Sequence, residues 1–203
     1  NTQNRDRIYG NVKFDFNICK GFTLMVRGGL DSQYDFRTQR FATSTQSDPN
    51  GFYREQIVRS MQYSGEFLFR YTHDFDHDIN LTANFGGSMV NRQYEKHEQW
   101  ADNLKNPGVY TLANAASLVK TDNYLEKRQT NSLYGMVQLS WKNALFLDIT
   151  GRNDWSSTLA KGNNSYFYPA VEGSFVATEL PFLKGKTGVS YLKIRGAVAQ
   201  VGK

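Results

Sequence analysis

The stretch IYGNVKFDFNI, residues 8–18, decides the fold class of this chain. Every second position in it is apolar or glycine: Ile8, Gly10, Val12, Phe14, Phe16 and Ile18. The positions between them carry Tyr9, Asn11, Lys13, Asp15 and Asn17. Successive side chains of a β-strand point to opposite faces, whereas a helix would mix the two sets. The stretch is therefore predicted to be a β-strand with one apolar face and one polar face.

The same alternation recurs along the chain, clearly in INLTANFGGSM, residues 79–89, and at residues 63–71, where only Leu68 breaks it. Eight strands are predicted from this pattern, at residues 7–18, 21–31, 59–72, 78–91, 129–141, 144–152, 166–178 and 189–200. Many of them exceed the soluble average of about five or six residues and match the roughly 9–11 residues that cross a bilayer at a tilt. We therefore predict an all-β fold of antiparallel up-and-down strands.

The connections between the predicted strands alternate in length. Short turns are expected near residues 19–20, 74–77 and 142–143, a slightly longer one at 181–188, and long polar loops at 32–58, 92–128 and 153–165. Short turns at one rim and long loops at the other are typical of outer-membrane β-barrels. A soluble β-sandwich or a lipocalin-like barrel stays open as the alternative, because periodicity does not say which face is inside.

Composition excludes several other classes of protein. Hydrophobic residues make up 39% of the 203 positions and glycine adds 17 more, so a disordered chain is not expected. No apolar run approaches the roughly 18 residues of a membrane helix. The net charge is +5, but Lys and Arg are scattered singly, so no nucleic-acid partner is expected. Cys19 is the single cysteine, which excludes an internal disulfide and a cysteine-based metal cage.

Several segments together resemble the SusC/RagA family of TonB-dependent outer-membrane transporters. They are DRIYGNVKFDFNICKGFTLMVRGGLD at 6–31, NFGGSMVNRQYE at 84–95, NPGVYTLANA at 106–115, residues 131–179 and LKIRGAVAQVGK at 192–203. Members of this family have a plug domain inside a barrel of about 22 strands. The resemblance therefore implies that residues 1–203 are a partial transmembrane β-barrel domain, without the plug and the remaining strands.

The resemblance also implies a function, which is import of oligosaccharides or peptides across the outer membrane of a Gram-negative, Bacteroidetes-type bacterium. It implies a SusD-like surface lipoprotein as a lid and TonB acting through the plug, with no enzyme activity, cofactor or metal. One alternative is a complete small outer-membrane barrel that acts as an adhesin or binding module. Another is an outer-membrane hydrolase that uses His73 or His77.

The stretch GRNDWSST, residues 151–158, combines charges, hydroxyls and a tryptophan after a short apolar run. A charge that faces lipid costs about 2–4 kcal/mol at mid-bilayer, so Asp148 and Arg152 are expected to face the barrel interior. Arg152 and Asp154 have the same parity and are expected to pair. Trp155 is expected near the outer interface, where amphipathic rings are stable. The serines have no nearby histidine to activate them, so catalysis is not expected.

The stretch HDFDHD, residues 73–78, resembles a metal site only at first sight. His73 and His77 are four residues apart, a spacing that brings side chains together on a helix but not on a strand. We interpret this stretch as a tight turn between two strands.

Aromatic residues in the expected outer loops are candidates for contact with a solute or a partner. They are Trp100, Tyr110, Tyr124, Trp155 and Tyr166. Rings near the strand ends fit an interfacial aromatic girdle, namely Tyr63, Tyr71, Phe75 and Phe167.

Overall fold

The computed structural model describes residues 1–75, 78–160, 162–180 and 190–201. Its strands form one sheet in the order β1 to β8, so each strand lies beside its neighbours in sequence. The strands are β1 Thr2–Cys19, β2 Phe22–Phe41, β3 Phe52–Phe75, β4 Ile79–Ala101, β5 Lys120–Trp141, β6 Leu145–Ser156, β7 Ser165–Val176 and β8 Lys193–Ala199. The predicted all-β, up-and-down arrangement is confirmed. Among the described residues, no helix is long and apolar enough to cross a membrane.

Several strands are longer than predicted, and the connections between them are correspondingly shorter. The strand ends that were expected to carry long loops are linked by shorter connections, at residues 42–51, 102–119 and 157–164. The predicted extent of those loops, 32–58, 92–128 and 153–165, was therefore wrong. In the extra strand residues polar side chains occupy both faces, so the hydrophobic alternation disappears although the strand continues.

Two of the short turns, near residues 19–20 and 142–143, fall where the sequence placed them. Gly21 follows Lys20 with a positive φ of 78°. Lys142 and Asn143 also have positive φ, at 52° and 53°, in the turn before β6. Of the turn expected at 74–77, residues 74 and 75 still belong to β3, so the turn was predicted to begin too early, and residues 76 and 77 lie outside the described residues. The turn expected at 181–188 lies wholly outside them.

The chain folds into two compact units, each built from pieces of several strands. The first unit contains Asn1–Asn11, Gly29–Tyr63 and Asn91–Arg128. The second unit contains Val12–Gly28, Ser64–Val90 and Gln129–Lys203.

The second unit has one face covered by apolar rows that run from strand to strand. One row places Val137, Ile149, Val171 and Val198 side by side on β5 to β8. The rings and side chains of this face are open: Phe14 is 57% exposed, Phe85 53% and Ile149 46%. Soluble monomers rarely expose contiguous apolar patches of this kind. This exposure contradicts the soluble β-sandwich, in which the same residues would pack inside.

The first unit contains a small hydrophobic cluster of Tyr53, Ala101, Leu104 and Ala115, against which Tyr110 and Leu112 pack. Buried Asn114 fixes the connection between β4 and β5. Its side-chain amide donates to the carbonyl oxygens of Asn106 at 2.8 Å and of Val109 at 2.7 Å. Its side-chain oxygen accepts a hydrogen bond from the Asn106 backbone N–H at 3.1 Å. The connection is therefore held in place by its own polar groups.

Candidate functional site

The face of the second unit opposite the apolar rows carries a network of charged and hydroxyl groups. The Tyr134 hydroxyl donates to Glu66 Oε1 at 2.5 Å, and Arg27 forms an ion pair with the same carboxylate. Arg152 donates to Asp154 Oδ1 at 2.7 Å and to Ser132 Oγ at 3.1 Å. The predicted pairing of Arg152 with Asp154 is confirmed. We call this side of the second unit its polar face.

A glycine makes this arrangement possible. A Cβ atom on Gly86 would lie 2.7 Å from the backbone oxygen of Phe67 and 2.7 Å from Cε2 of the Tyr134 ring. Because Gly86 has no side chain, the Tyr134 ring can cross β4 and reach Glu66 on β3.

Asp148 also lies on the polar face, as its parity predicted. It stands opposite Gln138 on β5 and Glu172 on β7. Its buried Oδ1 has no hydrogen-bond partner among the residues that the structure describes. Two neighbouring carboxylates of like sign are better tolerated next to water than next to lipid.

The first unit has a second group of charged residues around Asp35, which is fully buried. Its Oδ2 accepts hydrogen bonds from Arg37 at 2.7 Å, from Arg5 at 3.0 Å and from Gln3 at 2.8 Å. The hydrogen bond from Arg37, followed by those from Arg5 and Gln3, outweighs the effect of burial and lowers the pKa of the Asp35 carboxyl to about 2. The carboxylate therefore stays ionised and holds the ends of β1 and β2 together.

Further ion pairs cross β3, β4 and β5 in the first unit. Lys96 lies 3.0 Å from Glu98 and 3.1 Å from Asp122, and Glu98 also accepts a hydrogen bond from Gln56 at 2.7 Å. These ion pairs join partly buried side chains, Lys96 at 23% and Glu98 at 11% exposed, to the exposed carboxylate of Asp122. Their number makes this a water-facing surface rather than a packed core.

A recess of about 280 Å³ lies on β3, β4 and β5 in the first unit. It is lined by Ser60, Met61, Gln62, Arg92, Gln93, Tyr94, Glu126 and Arg128. Arg92 Nε donates to Gln62 Oε1 at 2.7 Å, and Arg128 lies 3.4 Å from Glu126. The Tyr94 and Tyr124 rings meet edge to face, with centroids 6.0 Å apart. The recess therefore offers two guanidinium groups and one carboxylate beside the Tyr94 ring, and the Tyr124 ring contacts Tyr94 from outside the lining.

The structure places four of the five predicted aromatic contact residues on strands rather than in loops. Trp100 lies in β4, Tyr124 in β5, Trp155 in β6 and Tyr166 in β7, and only Tyr110 lies in a connection. The expectation that all five lie in loops was wrong: Trp100, Tyr124 and Trp155 fall in the parts of the loops that were predicted too long, and Tyr166 is the first residue of the strand predicted at 166–178. Contact of these residues with a solute or partner stays a prediction.

Their surroundings differ. In the first unit the Tyr124 ring is 49% exposed beside Tyr94, while Tyr110 packs on the hydrophobic cluster beneath the Arg40 guanidinium. In the second unit Trp155 shares the face of Ile149, and Tyr166 stands opposite Asp154 on the polar face. The interfacial position expected of Trp155 stays a prediction.

Sequence reasoning did not single out the charged residues Asp35, Arg92 and Arg128. Each is one polar residue among many, and a regular alternation in β2, β4 and β5 was not visible beyond the apolar rows. The continued parity along β4, from Asn84 to Arg92 and Tyr94, was the one available signal.

Of the two histidines considered as a metal site, the structure describes only His73. The His73 ring lies between those of Tyr71 and Phe75, with centroid distances of 6.1 and 4.4 Å. His77 lies outside the described residues. Across the described part of the chain, no group of three or more His, Cys, Asp or Glu side chains is placed to hold a metal ion.

One face of exposed apolar rows and one face of hydrogen-bonded charges define the wall of a transmembrane β-barrel. Comparison with known families gives the same result. Residues 1–200 match the family model described as TonB dependent receptor-like, beta-barrel. The chain belongs to this family.

Relatives and solved structures agree with that assignment. Two TonB-dependent receptors of Formosa agariphila are 24% and 22% identical, and each match covers 98% of this chain. Two structures of the RagAB peptide transporter, one titled an importer in its closed-closed state, align with TM-scores of 0.85 and 0.88. They are 19% and 18% identical over 94% and 97% of this chain. Membership of the TonB-dependent receptor family is therefore confirmed, and the fold is that of the matched part of the RagAB structures.

The chain is much shorter than these proteins. It spans 21% and 20% of the length of the two receptors and 22% of each matched RagAB chain.

Proposed function

We propose that this chain is part of the barrel wall of a SusC-like TonB-dependent importer in the outer membrane of a Gram-negative, Bacteroidetes-type bacterium. The observation that carries the proposal is the contrast between the two faces of the second unit. Phe14, Phe85 and Ile149 are open on one face, and Arg27, Glu66 and Tyr134 interact on the other. Only a wall between lipid and water satisfies both faces.

The imported solute is an oligosaccharide or a peptide, and a SusD-like lipoprotein covers the outer mouth. The similarity in fold to the RagAB peptide transporter supports this proposal. TonB supplies energy through a plug domain, as membership of the TonB-dependent receptor family supports. The adhesin alternative is not favoured, because matches along the whole chain are TonB-dependent receptors.

The test is solute uptake by the native bacterium. Deleting the gene of the full-length protein that carries this sequence is expected to abolish growth on one oligosaccharide or peptide source. Deleting TonB, or the gene of the SusD-like lipoprotein, is expected to have the same effect on that source. Uptake that persists without TonB contradicts the proposed importer. Growth on a monosaccharide or on free amino acids is the control, since small solutes pass through general porins.

A further inference from the structure

The recess on β3, β4 and β5 is lined by an exposed cation, Arg92. Arg92 has no ion-pair partner among the described residues, and its Nε bonds only to the neutral Gln62 amide. A guanidinium presents five donors in a planar fork that matches a carboxylate in two-pronged fashion. Most of these donors on Arg92 are therefore free to receive an anionic group.

Neighbouring residues increase the suitability of the recess for an anion. Arg128 is paired with Glu126 at 3.4 Å, and both side chains are about half exposed. An exposed pair at this distance is weak, so Arg128 can turn towards an incoming anion at little cost. Glu126 Oε2 also accepts a hydrogen bond from the Tyr124 hydroxyl at 3.2 Å, so Glu126 keeps one partner when Arg128 turns away from Oε1.

The aromatic rings provide the second half of a binding site. Tyr94 lines the recess, and the Tyr124 ring meets the Tyr94 ring edge to face. Such rings pack against the apolar face of a sugar or against a peptide side chain, and bury area at low entropic cost. The volume of the recess, about 280 Å³, is at the small end of the range for ligand sites. A recess of this size accommodates one terminal unit of a longer solute.

We propose that this recess binds a carboxylate group of the transported solute, with Arg92 as its main partner, Arg128 as an auxiliary one, and Tyr94 and Tyr124 packing against the adjoining unit. The inference rests on the proposed function, because only a barrel wall exposes this recess to a solute. The carboxylate belongs either to the C-terminus of a peptide or to an acidic sugar. Both carry the same charge and the same two oxygen acceptors.

The experiment is equilibrium binding to the full-length protein, purified in detergent, with matched pairs of probes. One pair is an acetylated tetra-alanine peptide and its C-terminal amide, and the other is tetragalacturonate and maltotetraose. We expect one carboxylate probe to bind at least about tenfold more tightly than its neutral match, as expected for one charge-assisted hydrogen bond. Which of the two pairs shows this preference identifies the source of the carboxylate.

Substitution then assigns the preference to the recess. Arg92→Gln is expected to reduce it about tenfold while leaving the affinity for the neutral probe unchanged. Arg92→Lys is expected to retain part of it, because the charge remains and the fork is lost. Lys127→Gln is the matched control, since Lys127 lies between Glu126 and Arg128 on the opposite side of β5. If the Arg92 variants fail to fold, the preference for the carboxylate probe is measured in Arg128→Gln instead.

Two binding results overturn the inference, and one uptake result does so as well. One is a wild-type protein that binds neither carboxylate probe better than its neutral match. The other is a loss of affinity that is equal for Arg92→Gln and Lys127→Gln. If TonB-dependent uptake of a solute continues unaffected in the Arg92→Gln strain, the recess is not a subsite but the importer stands. If the wild-type strain shows no TonB-dependent uptake at all, the proposed function itself fails.

Discussion

At Gly86 the backbone of β4 lies so close to its neighbours that no side chain fits. Substituting Gly86→Ala would place a Cβ 2.7 Å from the Phe67 backbone oxygen and from the Tyr134 ring, so we expect a loss of about 1–3 kcal/mol and a lower folded yield. Heat-modifiable gel mobility of the full-length protein measures that yield. Gly65→Ala is the matched control, because nothing lies within 4 Å of a Cβ at that position. Equal yields for the two variants would contradict the proposed packing of Tyr134.

Asp35 gives a prediction about pH at the same scale. Its pKa is about 2, below the ordinary 3.8, because Arg37, Arg5 and Gln3 hydrogen-bond its ionised form. The ionised carboxylate therefore stabilises the ends of β1 and β2 above about pH 4, and this contribution is lost as the pH falls through the folded pKa near 2. Amide hydrogen exchange of β1 and β2 is the measurement.

Wild-type protein is expected to lose amide protection in these two strand ends between about pH 4 and pH 2. The Asp35→Asn variant is expected to show weaker protection at pH 7 and no further loss across that interval. Asp48→Asn, in the connection after β2, is the control. A wild-type profile as flat as that of Asp35→Asn would contradict this role.

At the scale of the strand, the two faces make opposite predictions for an added charge. Substituting Phe14, Phe85 or Ile149 by Lys is expected to lower the free energy of unfolding by about 2–4 kcal/mol near mid-bilayer and to reduce the yield of folded barrel. Lys at Asn11, Asn84 or Thr150 is expected to be tolerated, because those positions face water. Heat-modifiable mobility of the full-length variants separates the two sets. Indistinguishable behaviour would contradict the assigned faces.

The strands were predictable wherever one face meets lipid and the other meets water. Ile8 to Ile18 on β1 and Ile79 to Met89 on β4 alternate because the two environments differ in polarity. Beyond Met89 polar residues occupy both faces of β4, so the strand continues to Ala101 without a hydrophobic alternation. For that reason Trp100, Tyr124 and Trp155 were expected in loops and lie on strands.

The candidate site was less predictable than the strands. The parity of Arg152 and Asp154 along one strand was enough to predict their contact. The recess around Arg92 depends on which residues of β3 and β5 stand beside β4, and the register of those strands is not readable from alternation alone. The role of Gly86 likewise depends on a ring from β5 that crosses β4.

At the scale of the whole molecule, the strand order leaves two edge strands, β1 and β8, which determine how this chain behaves when it is expressed alone. β1 and β8 each have a neighbour on one side only in the order β1 to β8, and every residue of both strands is exposed. An unpaired strand edge presents a row of free N–H and C=O groups that pairs readily with other chains. In hydrocarbon such an edge is costlier still, because no water satisfies it.

We therefore expect residues 1–203, expressed alone and refolded in detergent, to associate through β1 and β8 instead of forming a monomeric barrel. Size-exclusion chromatography with light scattering is expected to show a broad distribution above the monomer mass, and gel mobility is expected not to change on heating. The full-length protein, refolded in the same detergent, is the control and is expected to be heat-modifiable. A monodisperse, heat-modifiable monomer of residues 1–203 would mean that these eight strands satisfy their own edges. That outcome would favour a small, self-contained barrel over the wall of a large importer.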